Sequence, residues 1–233
     1  MTAKKSVKVF SSYLKNRFFM MYKIFFMKEL DELITRLSDT GIGEQLAAIT
    51  EFYDSIEHSF ERFTEEAHIS CPSGCGECCR YFTPPVTSSE ALAIAAWTYF
   101  VQERDVRPLM RFTSSSEGCP FADQQREGGK CTIYPVRPLL CRLFGAAATR
   151  TKRGLEFRRC SRNPEPETMP ELITEAEMPE NPPVMDAFGL RLEELFGNSS
   201  EIEDMQKAVN DALGRRLMII SLLPRPPDGP NAS

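Results

Sequence analysis

All eight cysteines of this 233-residue chain lie between Cys71 and Cys160, and the other 143 residues carry none. Four of them share one short run, Cys71-Pro-Ser-Gly-Cys75-Gly-Glu-Cys78-Cys79. Thiols this concentrated, with Gly74 and Gly76 freeing the backbone between them, predict a loop wrapped around a metal. Two sulfurs two or three residues apart reach one ion through a tight turn, as in Cys75-Gly-Glu-Cys78, and Cys71 supplies a third. Neighbouring side chains diverge, so Cys79 is expected to serve a second metal or a bridged site. Cys119, Cys131, Cys141 and Cys160 follow at longer intervals, as loops that a metal closes. The candidate ligands are therefore Cys71, Cys75, Cys78, Cys79, Cys119, Cys131, Cys141 and Cys160, in one or two centres.

A disulfide framework also uses an even number of cysteines. Disulfides belong to oxidising compartments, no secretory signal is read here, and the vicinal pair Cys78-Cys79 cannot bridge without strain. The expectation is a metal-binding, cytoplasmic protein. An all-sulfur donor set excludes hard, oxygen-seeking ions. Zinc and iron–sulfur clusters, a 4Fe-4S cluster among them, both accept four thiolates. The residues leave that choice open.

Charge is segregated along the chain. Residues 1–28 hold seven cations and no acid, interleaved with Phe10, Tyr13, Phe18, Phe19, Tyr22, Phe25 and Phe26. Lys15, Arg17 and Lys23 interrupt any signal-peptide core. This extension reads either as a basic amphipathic segment on an anionic membrane surface or as an over-long start, with Met20, Met21 or Met27 as initiator. Residues 29–70 set two cations against eleven acids, residues 71–162 fourteen against eight, and residues 163–233 five against fourteen. The cysteine module is thus a cationic island between acidic flanks. The overall pI of about 5.3 argues against a nucleic-acid partner. Arg80, Arg137, Arg142, Arg158, Arg159 and Arg162 all lie close to cysteines, which suggests that they balance thiolate charge. The acidic flanks are candidate docking surfaces for a protein partner.

Periodicity predicts a mainly α fold, with helices flanking a loop-rich, metal-stapled module and one small hairpin. A short helix runs from Glu29 to about Leu37 and stops near Asp39–Gly43. In the next, Glu44 to about His68, Leu46, Ile49, Phe52, Ile56, Phe60 and Phe63 recur every three or four residues beneath an acidic outer face. Thr87-Ser88-Ser89-Glu90 reads as a capping box opening a helix to about Glu103. That helix is apolar all round and hence buried, with Trp97 in the core. The hairpin pairs Gly145–Arg150 with Leu155–Arg159 and turns near Lys152-Arg153-Gly154. Residues 163–170 are a proline-rich acidic linker. Two helices follow, Val184–Phe196 and Glu201–Leu222, the second capped by Ser199 or Ser200. The predicted organisation is an extension (1–28), an acidic helical segment (29–70), the cysteine module (71–162), a linker with C-terminal helices (163–223) and a disordered tail (224–233).

One ordered set of residues carries a resemblance. Cys71-x3-Cys75-x2-Cys78-Cys79 is followed by Cys119-Pro120-Phe121, then by Cys131-x-Ile133-Tyr134-x2-Arg137-Pro138-x2-Cys141-Arg142-x-Phe144. Together they resemble the YkgJ-type cysteine-cluster family, a putative zinc- or iron-chelating domain, over roughly residues 68–162. The resemblance implies metal binding through these cysteines and brings no settled reaction. A related cluster is similar to part of the flagellin lysine methylases, but this chain has no glycine-rich dinucleotide-type loop.

Other side chains are weaker candidates. His58 reads as a surface residue of the long acidic helix, and His68 as either a spectator or a further imidazole ligand. Tyr134, Arg137 and Arg142 would orient cysteines or simply pack. Glu77 reads as an exposed loop carboxylate. With two histidines in all, serine- or cysteine-type hydrolysis is unsupported. The competing classes are an iron–sulfur oxidoreductase, a protein-modifying enzyme of the methylase type, and a thiol redox protein using Cys75-x-x-Cys78.

Overall fold

The computed structural model describes residues 28–66, 75–102, 118–123, 125, 130–145, 147–158, 160, 172–178, 181–197 and 202–216. The N-terminal extension, His68, Cys71, the 163–170 linker, Ser199, Ser200 and the 224–233 tail lie outside the described residues. Helices dominate, with a few small antiparallel strand pairs. No described helix is long and apolar enough to cross a membrane.

Helix α1 spans residues 28–36, and Leu30, Leu33 and Leu37 bury one stripe of it. The chain turns at Thr40, whose Oγ1 donates to Leu37 O at 2.7 Å and accepts from Gly43 N at 3.1 Å. Helix α2 then runs through Gly41–Glu66, three residues ahead of the predicted start. Of its predicted apolar stripe, Leu46, Ile49, Phe52, Ile56 and Phe63 are buried and Phe60 is half-buried; Tyr53, outside the predicted stripe, is buried too.

Strand β1 (Pro85–Val86) leads into α3 (Ser88–Ala96), the centre of the molecule. The predicted capping box is present, with Thr87 as N-cap and Glu90 reaching back. Every residue from Ala91 to Thr98 is buried. Instead of running on as an α-helix to Glu103, the chain widens into a π-helical turn over Trp97–Val101, closed by Gln102 N donating to Trp97 O at 2.9 Å. The Gln102 amide then donates to Thr132 O at 2.7 Å, tying the helix end to the cysteine module.

A three-stranded antiparallel sheet begins within the module and is completed beyond it: β4 (Thr149–Thr151), β5 (Gly154–Arg158) and β6 (Leu172–Thr174). The β4–β5 hairpin is the predicted one, turning at Lys152-Arg153. Strand β6 was not expected. It pairs Ile173 with Phe157, and these two close a small second core on Phe63, near the C-terminal end of α2. Phe63 meets the Phe157 ring edge-on at 5.7 Å.

Helix α5 (Met185–Phe196) matches the expectation closely. The last helix does not. It begins at Met205, not Glu201, because Glu203–Asp204 forms a strand, β7, paired with β1. Its cap is Asp204, which accepts from Gln206 N and Lys207 N at 3.0 and 3.1 Å. Helix α6 (Met205–Asp211), extended by a π-helical turn over Ala212–Arg216, packs Met205, Ala208, Val209, Ala212 and Leu213 into the main core against α3.

Candidate metal centre

The cysteines converge from four separate stretches of chain. Cys78 and Cys79 open a 3₁₀ turn, Cys78–Arg80, in which Cys79 N donates to Gly76 O at 3.0 Å. Cys119 N donates to Cys79 O at 2.7 Å, so the second stretch lies directly on the first. Gly118 makes that approach possible. Its φ is +98°, and a Cβ there would stand 2.5 Å from Arg80 O and 2.6 Å from Cys79 O. Strands β2 (Ala122–Asp123) and β3 (Lys130–Cys131) then form a hairpin that sets Cys131 opposite Ala122, three residues past Cys119. Helix α4 (Leu139–Leu143) carries Cys141.

The thiols meet. Cys79 is within hydrogen-bonding reach of Cys119, Cys131 and Cys78, and Cys141 is close enough to feel Cys78 and Cys79 electrostatically. This corrects the expected divergence of Cys78 and Cys79. A 3₁₀ turn rotates successive side chains by about 120°, not the half-turn of a strand, which leaves two short side chains within reach of each other. Cys160 lies beside Gly145, four residues beyond Cys141: a Cβ at Gly145, whose φ is +73°, would meet Cys160 Cβ at 3.0 Å. Cys75 is half-buried at the mouth of the turn. The seven described cysteines are all free thiols.

Arg142 organises the third stretch. Its side chain, 4% exposed, donates from Nη1 to Glu57 Oε1 at 2.5 Å, from Nη2 to Pro135 O at 2.5 Å and from Nε to Arg137 O at 2.8 Å. The guanidinium also lies 3.9 Å from the centre of the Tyr53 ring. It therefore folds back over the turn preceding its own helix and pins that turn to α2. Arg137 stacks on Tyr134 at 4.0 Å and reaches Glu57 at 3.4 Å. Glu57, read from the sequence as part of an outer acidic face, is the common acceptor. Only its pairing with residues far along the chain reveals the role.

The expectation that the arginines balance thiolates is met by Arg137, whose charge lowers the pKa of both Cys131 and Cys141. Arg142 turns instead toward α2, Arg80 pairs with Glu77 at 3.6 Å, and Arg158 is exposed on β5. Arg159 and Arg162 lie outside the described residues. His58 is exposed, with Nδ1 2.8 Å from Asp54 O, as a surface residue should be. Glu77, expected as an exposed carboxylate, is 21% exposed and held by Arg80.

The cluster resists ionisation. The Cys78 thiol is pushed far up, first by its hydrogen bond to Cys79 and then by burial. Cys79 is pushed up further by hydrogen bonds to Cys119 and Cys131. Burial raises Cys141 to about 12. Cys131 alone of these moves down, because Cys79 donates to it. Thiols raised above their usual value of 9.0 stabilise the fold fully below that pH and cease to do so as pH rises through their folded values. Cys131 acts in the opposite sense, and three groups outweigh one. The metal-free protein is therefore expected to lose stability as pH rises above about 9, in denaturation midpoints followed by circular dichroism. A flat profile up to pH 11 would contradict the packing of these thiols.

The donor chemistry suits a cation that takes sulfur. Cys78, Cys119 and Cys131 surround Cys79, with Cys141 in electrostatic range, and a positive ion would supply the charge that this gathering otherwise denies the thiols. Among the described residues, no three His, Cys, Asp or Glu side chains already stand as a finished coordination set. The thiols meet as hydrogen-bonding partners.

Residues 70–164 match the family model CxxCxxCC, described as a putative zinc- or iron-chelating domain. The match covers less than half of the chain, and this segment is similar to that domain. The resemblance drawn from the cysteine motifs is thereby borne out, and all eight cysteines fall inside the match. The matched segment also contains Glu90, Gly118 and Arg142, whereas Tyr53 and Glu57 on α2 lie outside it. Comparison with the curated proteins and with the solved structures gives no match to this chain.

Besides Glu57, Gly118 and Glu90 shape the site in ways the sequence reading missed. Gly118 stands immediately before Cys119-Pro120-Phe121, and a glycine directly abutting a presumed ligand was the available signal. Glu90 was visible only as half of a capping box.

Proposed function

We propose that this chain binds zinc or iron through the thiolates of its cysteine module, drawing on Cys71, Cys75, Cys78, Cys79, Cys119, Cys131, Cys141 and Cys160. The observation that carries the reading is the gathering of Cys78, Cys79, Cys119, Cys131 and Cys141 from four separate stretches into one buried group. Such a metal would tie the separate cysteine stretches to one another, contributing directly to folding. Cys78 and Cys79, being in contact, belong to one centre or to a bridged pair.

The thiol-redox alternative needs a depressed thiol pKa in the Cys75-x-x-Cys78 pair. Cys78 is displaced in the other direction, which counts against the redox reading. Protein purified anaerobically and analysed for metals should contain zinc or iron in stoichiometric amount, and chelation should lower its melting temperature. Brown protein with iron and acid-labile sulfide would assign an iron–sulfur cluster, and with it redox or modifying chemistry. Colourless zinc protein would assign a structural centre. Protein holding neither metal, and taking up neither when reconstituted, would overturn the proposal.

A further inference from the structure

Helix α4, which carries Cys141, has Pro138 at its N-cap and no side-chain cap of its own. The missing acceptor comes from α3. Glu90, 3% exposed, uses both carboxylate oxygens. Oε2 accepts from Thr87 N at 2.8 Å and Thr87 Oγ1 at 3.1 Å, completing the capping box. Oε1 accepts from Leu139 N at 2.6 Å, the first N–H of α4, with Tyr53 OH at 3.5 Å. A capping box needs only one of these oxygens. The second spans 49 residues of sequence to hold the helix on which Cys141 sits two positions later.

We infer that Glu90 is a positioning residue for the metal centre: one buried carboxylate caps α3 and α4 together and thereby fixes Cys141 against Cys78, Cys79 and Cys131. The inference rests on the metal-binding reading above and gives it a further structural determinant. Glu90 touches no cysteine through its hydrogen bonds and is not itself a ligand. It acts through the Leu139 N–H, so that small changes at α3 are transmitted to a sulfur on another element, and its charge also raises the pKa of the Cys141 thiol directly.

The test compares Glu90→Gln with Thr87→Ala in the full chain. Gln keeps the shape of Glu90 but has one accepting oxygen where two are used, so Thr87 or Leu139 loses its acceptor. Thr87→Ala weakens the cap of α3 yet leaves Glu90 on Leu139. Cobalt(II), whose thiolate charge-transfer absorption reports how many sulfurs coordinate, is titrated into each metal-free protein. E90Q should bind cobalt on the order of 10–100-fold more weakly, with reduced charge-transfer intensity, as is usual when a group orienting a ligand is removed. T87A should retain both affinity and spectrum. Equal losses in the two variants, or loss of helical circular dichroism in E90Q, would overturn the inference, since Glu90 would then be general support for the fold.

If the wild-type chain takes up no cobalt, zinc or iron, it is the metal-binding reading that falls. The placement of Cys141 is then decided without metal, by the rate at which a thiol-alkylating reagent modifies Cys141, read by mass spectrometry over a pH series so that a change in thiolate fraction is separated from a change in access. E90Q should raise that rate several-fold over wild type and T87A should not. An unchanged rate in both E90Q and Glu90→Ala, which removes both oxygens, overturns the inference by itself.

Discussion

Glu57→Ala is expected to destabilise the metal-free protein by about 3 kcal/mol, the low end of the range for breaking a buried ion pair. The cost arises from what stays behind. Arg142 is 4% exposed, and without Glu57 its charge keeps only two backbone carbonyls and the face of Tyr53. Those partners, and the 26% exposure of Glu57 itself, place the effect at the low end. Arg137 loses its ion pair with Glu57 in the same substitution. Glu57→Gln, which keeps an oxygen acceptor, should cost about half as much. Denaturant unfolding measures both. A loss below about 1 kcal/mol for E57A would show that Arg142 relaxes to water and that the turn before α4 is not pinned to α2. Because that turn leads to Cys141, metal affinity should fall alongside stability.

Gly118→Ala should be of comparable size and fall more directly on the thiols. A φ of +98° is strained for alanine, at about 1–3 kcal/mol. The new Cβ would also press into Cys79 O and Arg80 O at 2.6 and 2.5 Å, and both are backbone atoms that cannot swing aside. Overpacking of that kind adds about 1–3 kcal/mol. Relief comes only by moving Cys119 away from Cys79, breaking the 2.7 Å hydrogen bond between their backbones. The variant should bind less metal per chain as well as unfold at lower denaturant. Gly189→Ala is the matched control: it lies within α5 with nothing inside 4 Å of the added Cβ. That substitution should stabilise by about 0.5–1 kcal/mol. If G118A behaved like G189A, the close approach between the first two cysteine stretches would be disproved.

The helical frame was largely legible because long amphipathic periods announce themselves. Leu46, Ile49, Phe52 and Ile56 mark the buried stripe of α2, and the Thr87–Glu90 pair marks the start of α3 to the residue. Strands β6 and β7 were not legible, since segments of three and two residues have no period to detect and are set by their partners, Phe157 and Pro85–Val86. Ser199 or Ser200 was the expected cap of the last helix, and Asp204 takes that place. Pairing of Glu203 with Val86 decided against the serines. At the candidate centre the sequence named the thiols and could not say which of them meet. Glu57 and Glu90 appeared as an outer acid and a local cap, yet each is defined by a contact 49 to 85 residues along the chain.

The apolar sheath of α3 has a temporal side. Ser88–Ala96 is packed by α2 on its N-terminal side in sequence and by α6, more than a hundred residues later, on the other. A ribosome adding about 5–20 residues per second leaves roughly 5–20 s between the emergence of the two helices. During that interval the Ala91–Thr98 surface that α6 will cover faces water, beside the growing cysteine loops. Nascent chains halted before Met205 should therefore be the form of this protein most avidly held by chaperones, and release should follow the arrival of α6.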